Sequence, residues 1–116
     1  MSFAQWFKRS FGVGVPAEFE AYLIAHPHGV ENGYGPRLWT AEAIQDETDD
    51  RKLAEKGVCL IGASDETHHI LLRARDGKVF IVDPMDYQTV DAWFSDVDSL
   101  IGLLQLERIE KQEHQI

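Results

Sequence analysis

Apolar residues recur at helical spacing along the first part of the chain and at strand spacing along the second. Phe3, Trp6 and Phe7 stand at i, i+3 and i+4 behind Ser2, which predicts a short capped helix. "GVGVP" (Gly12 to Pro16) breaks that pattern. Pro16 suits the first turn of a second helix, with Glu18 and Glu20 near its positive end. Phe19, Tyr22 and Leu23 form its buried stripe, and Pro27 ends it. "HPHGVENGYGP" then reads as a loop, with Asn32-Gly33 fit for a left-handed turn. "RLW" (Arg37 to Trp39) predicts a short extended piece. Thr40, with Ala43 and Ile44, opens another short helix without the acid of a capping box.

The rest reads as sheet. "VCLIGA" (Val58 to Ala63) is a wholly apolar run between Gly57 and polar "SDET", the pattern of a buried strand. "HHILLRA" and "KVFIVD" flank "RDG", where Asp76-Gly77 is the strongest hairpin signal in the chain. Asp83-Pro84 turns the chain again, and "YQTVDAWF" supplies another strand. Ser95 is the expected cap of a last helix, with Asp98 three residues on and Val97, Leu100, Ile101 and Leu104 as its apolar face. Residues 105–116 form a polar tail.

The order of elements predicts an α+β fold, an antiparallel sheet of about four to six strands with N-terminal helices and a C-terminal helix packed against it. At 116 residues the chain is expected to be one domain, 1–116, with its core over about residues 15–104. Phe19, Leu23, Val58, Leu60, Leu72, Phe80, Val82, Leu100 and Leu104 are the expected buried set. The aromatics Phe3, Trp6, Phe7 and Phe11 invite a membrane-surface reading, but their helix lacks a basic stripe, so docking onto the domain's own core is expected. No apolar run approaches the ~20 residues of a membrane span, and the start is not a secretory signal. Cys59 is the only cysteine, so no internal disulfide forms, and a cytoplasmic home is the default.

Charge changes the picture more. The formal net charge is -9, which disfavours direct nucleic-acid binding and favours a basic partner. The acids are segregated. Between Leu38 and Asp50 stand Glu42, Asp46, Glu47, Asp49 and Asp50 with no Lys or Arg. Between Val79 and Glu107 stand Asp83, Asp86, Asp91, Asp96, Asp98 and Glu107, again with none. A mixed-sign surface is the usual route to solubility, so segregation on this scale points to a field with a purpose.

The residues resist other chemistry. The run fails as a calcium loop, since Arg51 stands where the turn glycine belongs and Gly57 where the bidentate Glu belongs. His68 and His69 are adjacent on a strand and point to opposite faces, and His26 and His28 have no ligand at a zinc spacing. Cys59 lies within an apolar strand that raises its pKa and hides it. "GVGV" and "GYG" lack the lysine of a phosphate loop. Trp39 and Trp93 are more often core than binding platform, with a smaller share of the expectation left for an interface. No catalytic residue, metal or cofactor is expected. The expected partner-binding residues are Asp46, Glu47, Asp49, Asp50, Asp83, Asp86, Asp91 and Trp39, with the turn at Pro84 and the acidic run bordering one concave surface.

The succession "VPAEFEAYL", "NGYG", "LWTAEAIQ", "VCLIGASDETHHILLRARDGKVFIVD" and "VDAWFSDVDSLIGLL" resembles the SUKH superfamily, the Smi/Knr-like domains, over roughly Val15 to Leu104. The chain departs from the usual pattern after Ile61-Gly62, where "ASDETHH" replaces a glycine- and aspartate-rich turn, and it is short between Trp39 and Val58. The resemblance implies an α+β sheet flanked by helices and a non-catalytic role. Many members are immunity proteins that neutralise a cognate toxin, often a nuclease, and others are intracellular scaffolds. A basic toxin domain is therefore the implied partner. The alternatives are a scaffold or adaptor, or a small metal-dependent enzyme using Asp and His in a cleft.

Overall fold

A computed structural model describes residues 2–27, 36–64 and 68–103. The fold is α+β. Its elements are α1 (Phe3–Phe11), α2 (Ala17–Ala25), β1 (Pro36–Leu38), α3 (Ala41–Asp50), a 3-10 turn (Leu53–Lys56), β2 (Val58–Ser64), β3 (His68–Arg73), β4 (Val79–Asp83) and β5 (Asp86–Phe94). The chain is helical again over 97–103, here α4. The strands form one antiparallel sheet in the order β1-β2-β3-β4-β5, so each strand pairs with its neighbours in sequence. The Asn32-Gly33 turn, Leu104 and the polar tail lie outside the described residues.

Local chemistry accounts for the helix starts. Ser2 Oγ accepts from the Gln5 amide at 3.2 Å while Gln5 Oε1 accepts from the Ser2 amide at 3.0 Å, a complete capping box. Thr40 Oγ1 accepts from the Ala43 amide at 3.2 Å. The cap of α4 is a correction. Asp96 Oδ1, not Ser95, accepts from the Ser99 amide at 2.8 Å, and this bond holds the Asp96 carboxyl below its usual range.

The β3–β4 hairpin closes at Gly77, whose φ of 77° is left-handed and open to glycine at little cost. Asp76 secures the turn by accepting from the Lys78 amide and from the Arg73 guanidinium, its Oδ2 lying 2.6 Å from Nη2. The guanidinium contact holds its carboxyl down to about 2.

The sheet is buried on both faces, which is why β2 has no polar alternation. On one face Cys59, Ile61, Ile70, Leu72 and Val79 meet Trp6 and Phe7 of α1, Phe19 and Leu23 of α2, Ile44 of α3, and Val97 and Leu100 of α4. Phe3 and Phe19 meet edge to face with ring centroids 5.8 Å apart, locking α1 to α2. The aromatic face of α1 is thus spent on the core. On the other face a smaller cluster of Leu60, Leu71 and Val82 is covered mainly by Leu53 of the 3-10 turn. Val58 and Phe80, expected to be buried, are half-buried at the margin of this thinner layer. Among the described residues no helix is long and apolar enough to cross a membrane.

Candidate functional site

The acidic run Asp46–Asp50 lies inside α3, in its last turns, rather than in a loop after it. The phase of the helix decides which acids face out. Ile44 and Thr48 are one turn apart, both fully buried, and they fix the inward side. Glu42, Asp46, Asp49 and Asp50 fall on the opposite side and are exposed. None of these four makes an ion pair among the described residues. Glu47 differs, forming an i,i+4 pair with Arg51.

The threonine inside the acidic run is the residue that anchors it. Thr48 Oγ1 accepts from the Leu60 amide at 3.0 Å and lies 3.7 Å from Cys59 Sγ. It is the one polar or charged residue among the described residues that is buried. β1 pairs only with Gly62, Ala63 and Ser64, so the outer edge of β2 needs other partners further along. The Trp39 amide donates to the Ile61 carbonyl at 2.9 Å, and Thr48 takes the Leu60 amide. Thr48→Val keeps shape and burial but strands that amide, so it should lose about 1–3 kcal/mol in chemical denaturation. A variant as stable as the parent would mean that this bond contributes nothing. The periodicity Ile44 to Thr48 was the available signal for this role, but a threonine among four acids reads as surface.

The second acidic segment is placed differently. Asp83 Oδ1 accepts from the Met85 amide at 2.8 Å. Asp86 accepts from the Gln88 amide at 3.0 Å and from Thr89 Oγ1 at 2.9 Å. Both therefore shape the β4–β5 turn. Asp91 pairs with His68 Nε2.

A groove of about 420 Å³ is lined by Arg51, Leu53 and Lys56 on one side and Pro84 to Gln88 on the other, so of the expected partner-binding acids it receives Asp86 alone. The expectation that acids from both segments line a common concave surface is corrected in one respect. From the α3 side the groove receives Arg51, and from the 3-10 turn Lys56, because core docking turns Asp46, Asp49 and Asp50 away.

Behind the groove, His69 Nδ1 lies 2.7 Å from the Tyr87 hydroxyl, and the ring of Trp39 meets His69 edge-on. Partial burial lowers the His69 pKa and raises that of Tyr87, so both are held in their neutral forms. His68 and His69 do point to opposite faces, toward Asp91 and Tyr87 respectively. Trp39 is half-buried between the two apolar clusters, whereas Trp93, expected in the core, is 59% exposed on β5. The reason is position: Trp39 adjoins the β1 side of the sheet, whereas Trp93 stands on β5, beyond which no strand lies among the described residues. Cys59 is buried, and burial pushes its thiol up to about 12. Among the described residues no three His, Cys, Asp or Glu side chains are grouped to hold a metal ion. No family model, curated protein or solved structure matches the chain.

Proposed function

We propose that the chain is a non-catalytic protein-binding module whose acidic α3 face meets a basic partner. The observation that carries this reading is the charge pattern of α3. Asp49 and Asp50 occupy its last turn, where the helix dipole favours cations, and no base is present there. Glu42, Asp46 and Asp50 follow one another at i,i+4, a spacing that costs about 0.2–0.5 kcal/mol for each like-charge pair. A face kept only for solubility has no reason to bear both costs. A basic partner relieves both, and complementary charge speeds its encounter.

The resemblance over Val15 to Leu104 supplies the kind of partner: a toxin domain that this chain neutralises as an immunity protein. A nuclease toxin fits best, because ordered carboxylates offer its basic substrate channel what phosphates offer. The test is the combined change Asp46→Asn, Glu47→Gln, Asp49→Asn and Asp50→Asn, with association rates measured against a basic nuclease toxin domain that the parent chain binds. At low salt the rate should fall by about tenfold or more and its salt dependence should flatten, while the fold is kept. Equal rates for parent and variant at two ionic strengths would reduce the acidic run to a solvated face.

A further inference from the structure

The two edges of the sheet are treated differently. On one side β1, the Trp39 amide and Thr48 together occupy the edge of β2. On the other, β5 runs nine residues, and among the described residues no strand lies beyond it. An open edge presents a row of amide and carbonyl groups that templates another strand. Three of the five exposed large apolar side chains among the described residues also stand here, the others being Val13 and Ile24. Val90 is 46% and Trp93 59% exposed on β5, and Met85 is 93% exposed in the turn before it.

Charge narrows what the edge fits. From Val79 to residue 103 the chain carries Asp83, Asp86, Asp91, Asp96 and Asp98 and no Lys or Arg. Most cations near this strip are already engaged: Arg73 with Asp76 and the Phe80 ring, Lys78 with its ammonium 5.2 Å from the centre of the Trp93 ring, and Arg51 with Glu47, while Lys56 lies across the groove from Asp86. The Trp93 ring thus already serves as a seat for an ammonium group. A second copy of the chain would set acidic edge against acidic edge on two molecules of charge -9. Asp86 and Asp91 guard the edge against such pairing by charge, a repulsion that a basic strand does not meet, and the β4–β5 register is regular over Val79–Ile81 and Ala92–Phe94.

We propose that β5 receives an extended basic segment of the partner as a sixth strand. Main-chain hydrogen bonds hold it, its apolar side chains pack on Val90 and Trp93, and its Lys or Arg side chains face Asp86 and Asp91. This rests on the protein-binding reading above and adds the place and the conformation of the bound segment. Strand addition draws affinity from the backbone and specificity from alternate side chains.

The probe is a nine-residue peptide alternating Lys with Val and Thr, tested on the full chain beside the same peptide with alternate amides N-methylated. The unmodified peptide should slow hydrogen exchange of the outward-facing β5 amides, those not bonded to β4, by about tenfold, and Trp93→Ala should weaken its binding by about the same factor. The N-methylated peptide, equal in charge but unable to pair, should bind at least about tenfold more weakly. Equal binding of the two peptides would leave charge alone and overturn strand addition, as would unchanged β5 exchange. Protection, without peptide, of the outward-facing β5 amides that do not bond to β4 would also overturn it. If the chain then sediments as a dimer, the occupant is a second copy. If protection is lost on removing residues 104–116, it is the chain's own tail. Failure of the peptide while the α3 variant still slows toxin association would sink this inference and leave the function standing.

Discussion

Leu72→Ala should cost about 2–5 kcal/mol of stability, the range for a buried leucine whose cavity cannot collapse. Leu72 lies in β3, pairs with Cys59 on one side and Val79 on the other, and is fully buried on the helix-covered face. Its neighbours come from the sheet and from several helices, so no single element can move in to fill the space. Urea denaturation followed by far-UV circular dichroism measures the loss. A value below about 0.5 kcal/mol would mean that β3 turns its other face to the helices.

Gly62→Ala should be at least as damaging, for a backbone reason. Gly62 pairs with Leu38, and a Cβ there would overlap the Arg37 carbonyl oxygen and stand 3.0 Å from Leu38 Cα. Both obstacles are main chain, so no rotamer change relieves them. β1 must then separate from β2, which uncovers Leu38, now 1% exposed, and breaks the Trp39 to Ile61 bond. The expected loss is about 3 kcal/mol or more, the upper end of overpacking costs, with a red shift of tryptophan fluorescence as Trp39 is wetted. Gly14→Ala is the control, because a Cβ at Gly14 has nothing within 4 Å. If the two variants melt together, the close approach of β1 is not required for stability.

These outcomes bear on the proposed function. The acidic face of α3 is held in place by Ile44 and Thr48, and Thr48 in turn rests on the edge of β2 that β1 leaves uncovered. If the proposed function holds, loosening β1 should therefore slow partner association indirectly, by losing the helix platform. Asparagine substitutions on the outer face leave that platform in place, so the two routes to weaker binding separate by their effect on stability.

Much of this architecture was legible in the residues. Phe3, Trp6 and Phe7, then Phe19 and Leu23, mark two helices by spacing alone. Asp76-Gly77 marks the hairpin, and the apolar "VCLIGA" marks a strand covered on both faces. Such signals are local: they depend on side-chain period and turn stereochemistry within a few residues. The α+β class follows from the order of those elements.

What stayed hidden depends on distant partners. Ser95 and Asp96 are both good caps, and only the placement of Val97 and Leu100 in the core selects Asp96. The acids of α3 were visible, but their outward direction was set by the docking of Ile44 and Thr48 against β2. Trp39 and Trp93 are alike in sequence context, yet one lies beside β2 between two apolar clusters and the other stands on the last strand, β5. Residue types and their spacing determined by themselves most of the helices and strands, though not the 3-10 turn Leu53–Lys56, whose Leu53 is held by the sheet cluster. Tertiary structure alone decided which face each presents and how the edge of β2 is covered, because burial and backbone hydrogen bonding are satisfied by residues far apart in the chain.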